Sequence, residues 1–248
     1  MARDFVFISE SVTEGHPDKL CDQISDAIVD RFLAADPLAR VSAECAVARG
    51  VVFLAVRHAA AVSVDLPELT RRVIAEVGYD SGEFKAADCS VMTSITALPE
   101  HERAVDEAQL SDAGLDALPA REQVTVFGYA CRDTPVLMPM PIYLAHRLAR
   151  RLALLRLGRQ LPWLSPDGKT QVAVRYRDGR PHAIHGVTIQ AGCLPTAPEL
   201  AQVREILRAQ VVAPVLEGEG FALHADTALL LNPEPGLPPG GPEVHAGL

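Results

Sequence analysis

The residues best equipped for chemistry stand in "ESVTEGHPDKLCDQISDAIVDRFL". His16, Asp18 and Lys19 flank Pro17, a residue suited to open a helix. A helix N-terminus carries partial positive charge. A histidine and a lysine there repel it and each other unless an anion sits between them. A second such group is "SPDGKTQV", with Asp167 and Lys169 in a loop that enters a strand. Taken alone, "PDGK" reads equally as an ordinary turn. Lysine is scarce, with Lys19, Lys85 and Lys169 the only three. Where arginine is the default base, a retained lysine suits a compact point charge such as a phosphate contact. Glu44 lies inside the apolar run Val41–Ala48. If buried it needs a cation or a hydrogen-bonding partner. If the hairpin is half exposed, it faces water.

The bulk composition bounds these readings. The chain has 248 residues and a formal net charge of −9. The length fits one large or two small domains, and 48% apolar residues supply a sizeable core. No apolar run is long enough to span a membrane. "MARDFVFISE" is too short and too acidic for a signal peptide, so a cytoplasmic protein is expected. The acidic balance argues against broad nucleic-acid binding. Cys21, Cys45, Cys89, Cys131 and Cys193 are scattered and form no C-x-x-C pair. They read as reduced thiols, not as a disulfide frame or a zinc site.

The patterning predicts an α/β (α+β) fold of two βαββαβ units. The first has strands at Phe5–Ile8, Val41–Ala48, Val51–Arg57 and Cys89–Ile95. Its helices follow Pro17 and the capping box Asp65-Leu66-Pro67-Glu68, the second ending at Gly78. The acidic, proline-bounded stretch "LPEHERAVDEAQLSDAGLDALPARE" reads as a long lid or linker. The second unit has strands at Val124–Ala130, Thr170–Arg177, His182–Gln190 and Ala225–Leu231. Its helices run from Pro141 to Gly158 and from a second capping box at Thr196-Ala197-Pro198-Glu199. The tail "NPEPGLPPGGPEVHAGL" is too rich in Pro and Gly for a packed element. The expected division is 1–102 for an N-terminal domain, 103–122 for the lid-like loop, 123–232 for a central domain and 233–248 for a stub.

"SESVTEGHPDKLCDQISDAIVD", "VLMPMPIYLAHRLARR" and "LPWLSPDGKTQV" together resemble the S-adenosylmethionine synthetase (methionine adenosyltransferase) family. The likeness runs along almost the whole chain in one order. It implies two of the family's three pseudo-threefold domains. The implied reaction joins the sulfur of L-methionine to C5′ of ATP, expels triphosphate and hydrolyses it to phosphate and diphosphate. Mg2+ and K+ assist, and the sites lie between subunits. By resemblance, His16 and Lys169 are catalytic at the leaving triphosphate, where a cation is favoured as charge develops. Glu10, Lys19 and Asp167 would contact ATP. Asp18 would ligate magnesium and Glu44 potassium; oxygen ligands suit the hard magnesium ion. Lys19 reads equally as solvated surface.

The methionine-facing positions depart from the family. Arg57 stands where the family has a glutamate for the methionine ammonium. Like charges about 4 Å apart cost on the order of 4 kcal/mol at an effective dielectric near 20. Arg103 replaces a glutamine, and Glu122 keeps a carboxylate one methylene longer than the family's aspartate. Val124 replaces a glycine, and Gly236-Leu237 an Arg-Phe pair. The expected partner is a second copy or a longer synthetase chain. The alternative is a catalytically inactive regulatory or scaffold subunit paired with a full-length synthetase. A third reading keeps the nucleotide but gives it an acidic acceptor.

Overall fold

The computed structural model of the chain describes residues 4–80, 82, 84–120 and 123–248. Strand β1 (Phe5–Val12) leads through a short turn into α1 (Pro17–Ala35). Pro17 sits at the first helical turn, and Leu20, Ile24, Ile28 and Phe32 repeat along one buried face. Strands β2 (Arg40–Ala48) and β3 (Val51–Ala59) form a hairpin around Arg49 and Gly50. Helix α2 (Leu66–Val77) begins as its capping box predicts, with the Asp65 carboxylate accepting the Glu68 N–H at 3.0 Å. It ends at Gly78, whose φ of +108° favours glycine. Strand β4 (Ser90–Ala97) then pairs parallel with β3.

The linker is more structured than its composition implies. It contains tight turns at Glu100–Glu102 and Glu107–Gln109 and a short helix, α3 (Asp112–Asp116). Beyond it come α4 (Met140–Leu157), β5 (Leu164–Arg177) and β6 (Arg180–Cys193). Helix α5 (Leu200–Leu207) runs on through a π-turn into α6 (Ala213–Gly218), and β7 (Ala228–Leu231) closes the order. Two mixed sheets result, β2-β3-β4 and β1-β5-β6-β7. Helices α1 and α2 cover the first, with Leu54, Ile74 and Phe84 fully buried in its core. Helices α4, α5 and α6 cover the second, around Leu144, Leu148, Ile189 and Leu207.

Three local expectations are corrected. Val124–Ala130 forms no strand. The edge of β5 that β6 leaves free is filled by β1, which pairs antiparallel from Phe5↔Tyr176 to Val12↔Lys169. Val124, Val126 and Phe127 are instead 82%, 83% and 93% exposed. The second capping box does not form: α5 starts after Glu199 with no side-chain cap. The tail is packed after all. Gly241 and Pro242 are buried, and Gly247 exchanges both backbone hydrogen bonds with Val47 at 2.8 and 2.9 Å.

Candidate functional site

The turn between β1 and α1 is laced to the start of β5. Thr13 donates its N–H to the Gly168 carbonyl at 2.8 Å and its hydroxyl to the Pro166 carbonyl at 2.6 Å. Gly15 donates to the Pro166 carbonyl at 3.2 Å. A Cβ on Gly15 would stand 2.3 Å from Pro166 Cβ, so only glycine allows this approach. Tyr79, just past α2, fixes the turn from behind by donating its hydroxyl to the Gly15 carbonyl at 2.5 Å. The two motifs read separately in the sequence therefore meet at one helix head.

His16 is the N-cap of α1, and its Nδ1 accepts the Asp18 N–H at 3.3 Å. Asp18 lies in the first helical turn with its side chain 63% exposed. Lys19 is exposed and pairs with Asp22 at 3.4 Å. On β5, Lys169 Nζ meets Glu10 Oε1 at 2.8 Å, because β1 places Glu10 beside Gln171 and Val12 beside Lys169. The hydrogen bond from Lys169 holds the Glu10 carboxyl below its ordinary range. Asp167 is buried. Its Oδ2 accepts the Gly241 N–H at 2.7 Å and lies 3.2 Å from His245 Nε2. Burial pushes its pKa up, against the opposing pull of the Gly241 N–H. A cavity of about 250 Å³ opens beside it, lined in part by Gln190, Asn232 and His245. A larger open cleft of about 1100 Å³, near Phe5, Tyr129 and Tyr176, holds none of the predicted site residues.

This geometry provides an imidazole and an ammonium at a helix N-terminus, with a solvent-facing carboxylate in the same first turn. It suits a polyanion carried with a hard cation. Residues 4–99 match the family model described as S-adenosylmethionine synthetase, N-terminal domain, and residues 117–236 match its central domain. The chain belongs to the S-adenosylmethionine synthetase family. An S-adenosylmethionine synthase of Desulforudis audaxviator is 45% identical over 98% of the chain and 62% of the relative. One from Trichodesmium erythraeum is 41% identical over the whole chain and 63% of the relative. The chain thus spans somewhat under two thirds of the length of these curated relatives.

The other residues expected from the synthetase pattern lie apart from the helix head. Arg103 is bound to the buried Asp36 at 2.5 Å. Asp36 caps the opposite end of α1, a 19-residue helix about 28 Å long. Arg57 is exposed on β3 and registers with Ser42; Glu44 registers with Ala55. Of the two readings of Glu44, the exposed one is the one found: it faces solvent on the uncovered side of the sheet, one diagonal step from Arg57. Glu122 lies outside the described residues. Sequence reasoning missed Tyr79 and His245. The available signal for His245 was the Gly240-Gly241 pair, both at positive φ (+72° and +70°), which turns the tail back onto Asp167.

Proposed function

We propose that the chain is a synthetase-like protein that forms S-adenosylmethionine from ATP and L-methionine, with release of phosphate and diphosphate. The observation that carries this reading is the meeting of "GHPDK" and "PDGK" at the head of α1. The methionine sulfur attacks C5′ of ATP, the C5′–O bond breaks, and triphosphate leaves with the bonding electrons. His16 and Lys169 face the leaving oxygens, where their interaction with the triphosphate strengthens as negative charge develops. Lys169 must loosen its pair with Glu10 to do so, which places Glu10 at the edge of the nucleotide site. Asp167 is available to ribose hydroxyls. Asp18 fits magnesium, since one exposed carboxylate with water and phosphate oxygens is a common way to hold that ion. Bound there, magnesium would neutralise phosphate charge. Glu44 offers potassium a single exposed carboxylate, completed by groups from elsewhere.

Of the proposed methionine set (Arg57, Arg103 and Glu122), Arg103 does not share a site with His16 within one chain. Arg103 sits about one α1 length away. A second chain, either another copy or a longer synthetase, brings the two half-sites together. The proposed division is 1–102, 103–122, 123–232 and 233–248, and the proposed compartment is the cytoplasm. Among the described residues no helix is long and apolar enough to cross a membrane.

A second reading is favoured by one specific contact. Arg103 is already committed to Asp36, and Arg57 opposes an ammonium group. Both fit a regulatory or scaffold subunit that lacks turnover of its own. The test is to incubate the purified chain with ATP, methionine, magnesium and potassium and to quantify S-adenosylmethionine by mass spectrometry, with His16→Ala beside it. Product that disappears in the variant supports the synthetase reading. No product from the chain alone favours a half-site or the second reading; product that a longer synthetase chain restores and that His16→Ala abolishes supports the half-site, and no such restoration assigns the protein to the second.

A further inference from the structure

Three segments far apart in sequence bring metal-ligating groups to one point. His16 comes from the head of α1, Asp167 from the start of β5 and His245 from the tail. One donor atom from each lies within 4.8 Å of the other two, the one such grouping among the described residues. The imidazole rings of His16 and His245 stand 5.0 Å apart, edge to face. We propose that His16, Asp167 and His245 form a binding site for one divalent transition-metal ion of the zinc, cobalt or nickel type.

A second observation points to a ligand here. The Asp167 side chain is only 9% exposed, yet its Oδ1 is buried with no hydrogen-bond partner. A buried carboxylate oxygen without a partner is costly, and a metal ion would satisfy it. The donor set decides the kind of ion. Two imidazoles and one carboxylate suit zinc, cobalt or nickel, whereas magnesium and calcium take oxygen ligands. Zinc–ligand bonds of about 2.0–2.2 Å place tetrahedral donors roughly 3.3 Å apart. The observed His245–Asp167 separation of 3.2 Å already meets that spacing. His16 needs only a side-chain adjustment. Three protein ligands leave a fourth position for water or an added oxygen ligand, as in open zinc sites.

Electrostatics permits the site despite the helix head. The positive pole of α1 opposes a cation. Asp167 supplies a full negative charge against it, and Asp18 Oδ2 lies 3.7 Å from His16 Nδ1. His16 and Asp167 are also the residues proposed to face the nucleotide, so metal and nucleotide compete for them; titrated without nucleotide, the metal site is tested whether or not synthesis occurs.

The test is zinc and cobalt titration of the full chain, without nucleotide, by calorimetry and by the visible spectrum of bound cobalt. One equivalent of each should bind, with a cobalt spectrum of low coordination number, and excess magnesium should not displace it. His245→Gln keeps an N–H donor toward Asp167 and so keeps the tail latched, which circular dichroism and Tm will check. It should weaken zinc binding by about 100-fold or more, beyond the roughly 10–100-fold cost of outer-shell losses. His224→Ala, outside the cluster, should change nothing. Equal zinc affinity in His245→Gln, loss of binding in His224→Ala, or no saturable binding in the parent would each overturn the proposal.

Discussion

At the scale of single residues, two contacts carry testable weight. Tyr79 is 6% exposed, and its hydroxyl holds the Gly15 carbonyl behind the helix head. Tyr79→Phe should cost about 1–3 kcal/mol, because a buried acceptor loses its partner. Urea unfolding measures this; an unchanged midpoint would mean that water replaces the hydroxyl. Asp36 has the opposite electrostatic setting to Asp167. The Ala61 N–H, then Arg103, hold its carboxyl below the ordinary range. A depressed folded-state pKa contributes stability that is complete above the unfolded value, near 3.9. That contribution is lost as pH falls through the lower folded value. The Tm difference between the parent and Asp36→Asn should therefore be constant above about pH 5 and shrink below about pH 4. A difference that grows on acidification would contradict the assignment. The same contact explains why Arg103 misled a sequence reading: nothing in its neighbours announces a carboxylate 67 positions away.

At the scale of elements, helices were the legible part. The repeats Leu20-Ile24-Ile28 and Leu144-Leu148-Leu152-Leu155 are inward as their spacing requires. Leu148 is fully buried, and Leu148→Ala should cost about 2–5 kcal/mol in unfolding experiments. Val126→Ser should change stability by less than about 0.5 kcal/mol in the chain alone, since Val126 is 83% exposed. A large loss there would mean that 124–130 packs against something. This segment has a strand's composition without a strand's hydrogen bonds. Composition reports what a segment could pair with, while pairing depends on which edge is free. Here β1 fills the edge of β5. The tail failed for a related reason: Pro and Gly forbid a helix or a strand, yet they do not forbid packing. Gly240 and Gly241 let it turn sharply onto Asp167.

At the scale of the whole molecule, the sheet of β2-β3-β4 leaves one side without helices. On that side Phe53 and Met92 pair in register and are 43% and 58% exposed, on the face that carries Arg57 and Glu44. Such a surface suits a partner more than water. The shared-site reading makes a specific claim about it. Arg57→Glu should leave the Tm nearly unchanged and lower the methionine concentration needed for half-maximal product, in whichever assembly turns over. An unaltered methionine dependence would place Arg57 outside the methionine site. The two motifs "GHPDK" and "PDGK" were legible because the residues of each are close in sequence, whereas their meeting at one helix head was not. The position of Arg103 at the far end of α1 was not legible either, because it depends on the length of that helix.

The pairing of β1 with β5 has a consequence for how the protein is made. The first eight-residue strand finds its partner only after residue 177 has left the ribosome. At about 5–20 residues per second, that is a wait on the order of 10–30 s. During it, Phe5, Val6, Phe7 and Ile8 form an apolar edge with no neighbour, while α1, β2, β3 and α2 can already assemble behind it. The growing chain therefore carries an unpaired apolar segment until β5 emerges, and that segment is where a holding chaperone would be needed.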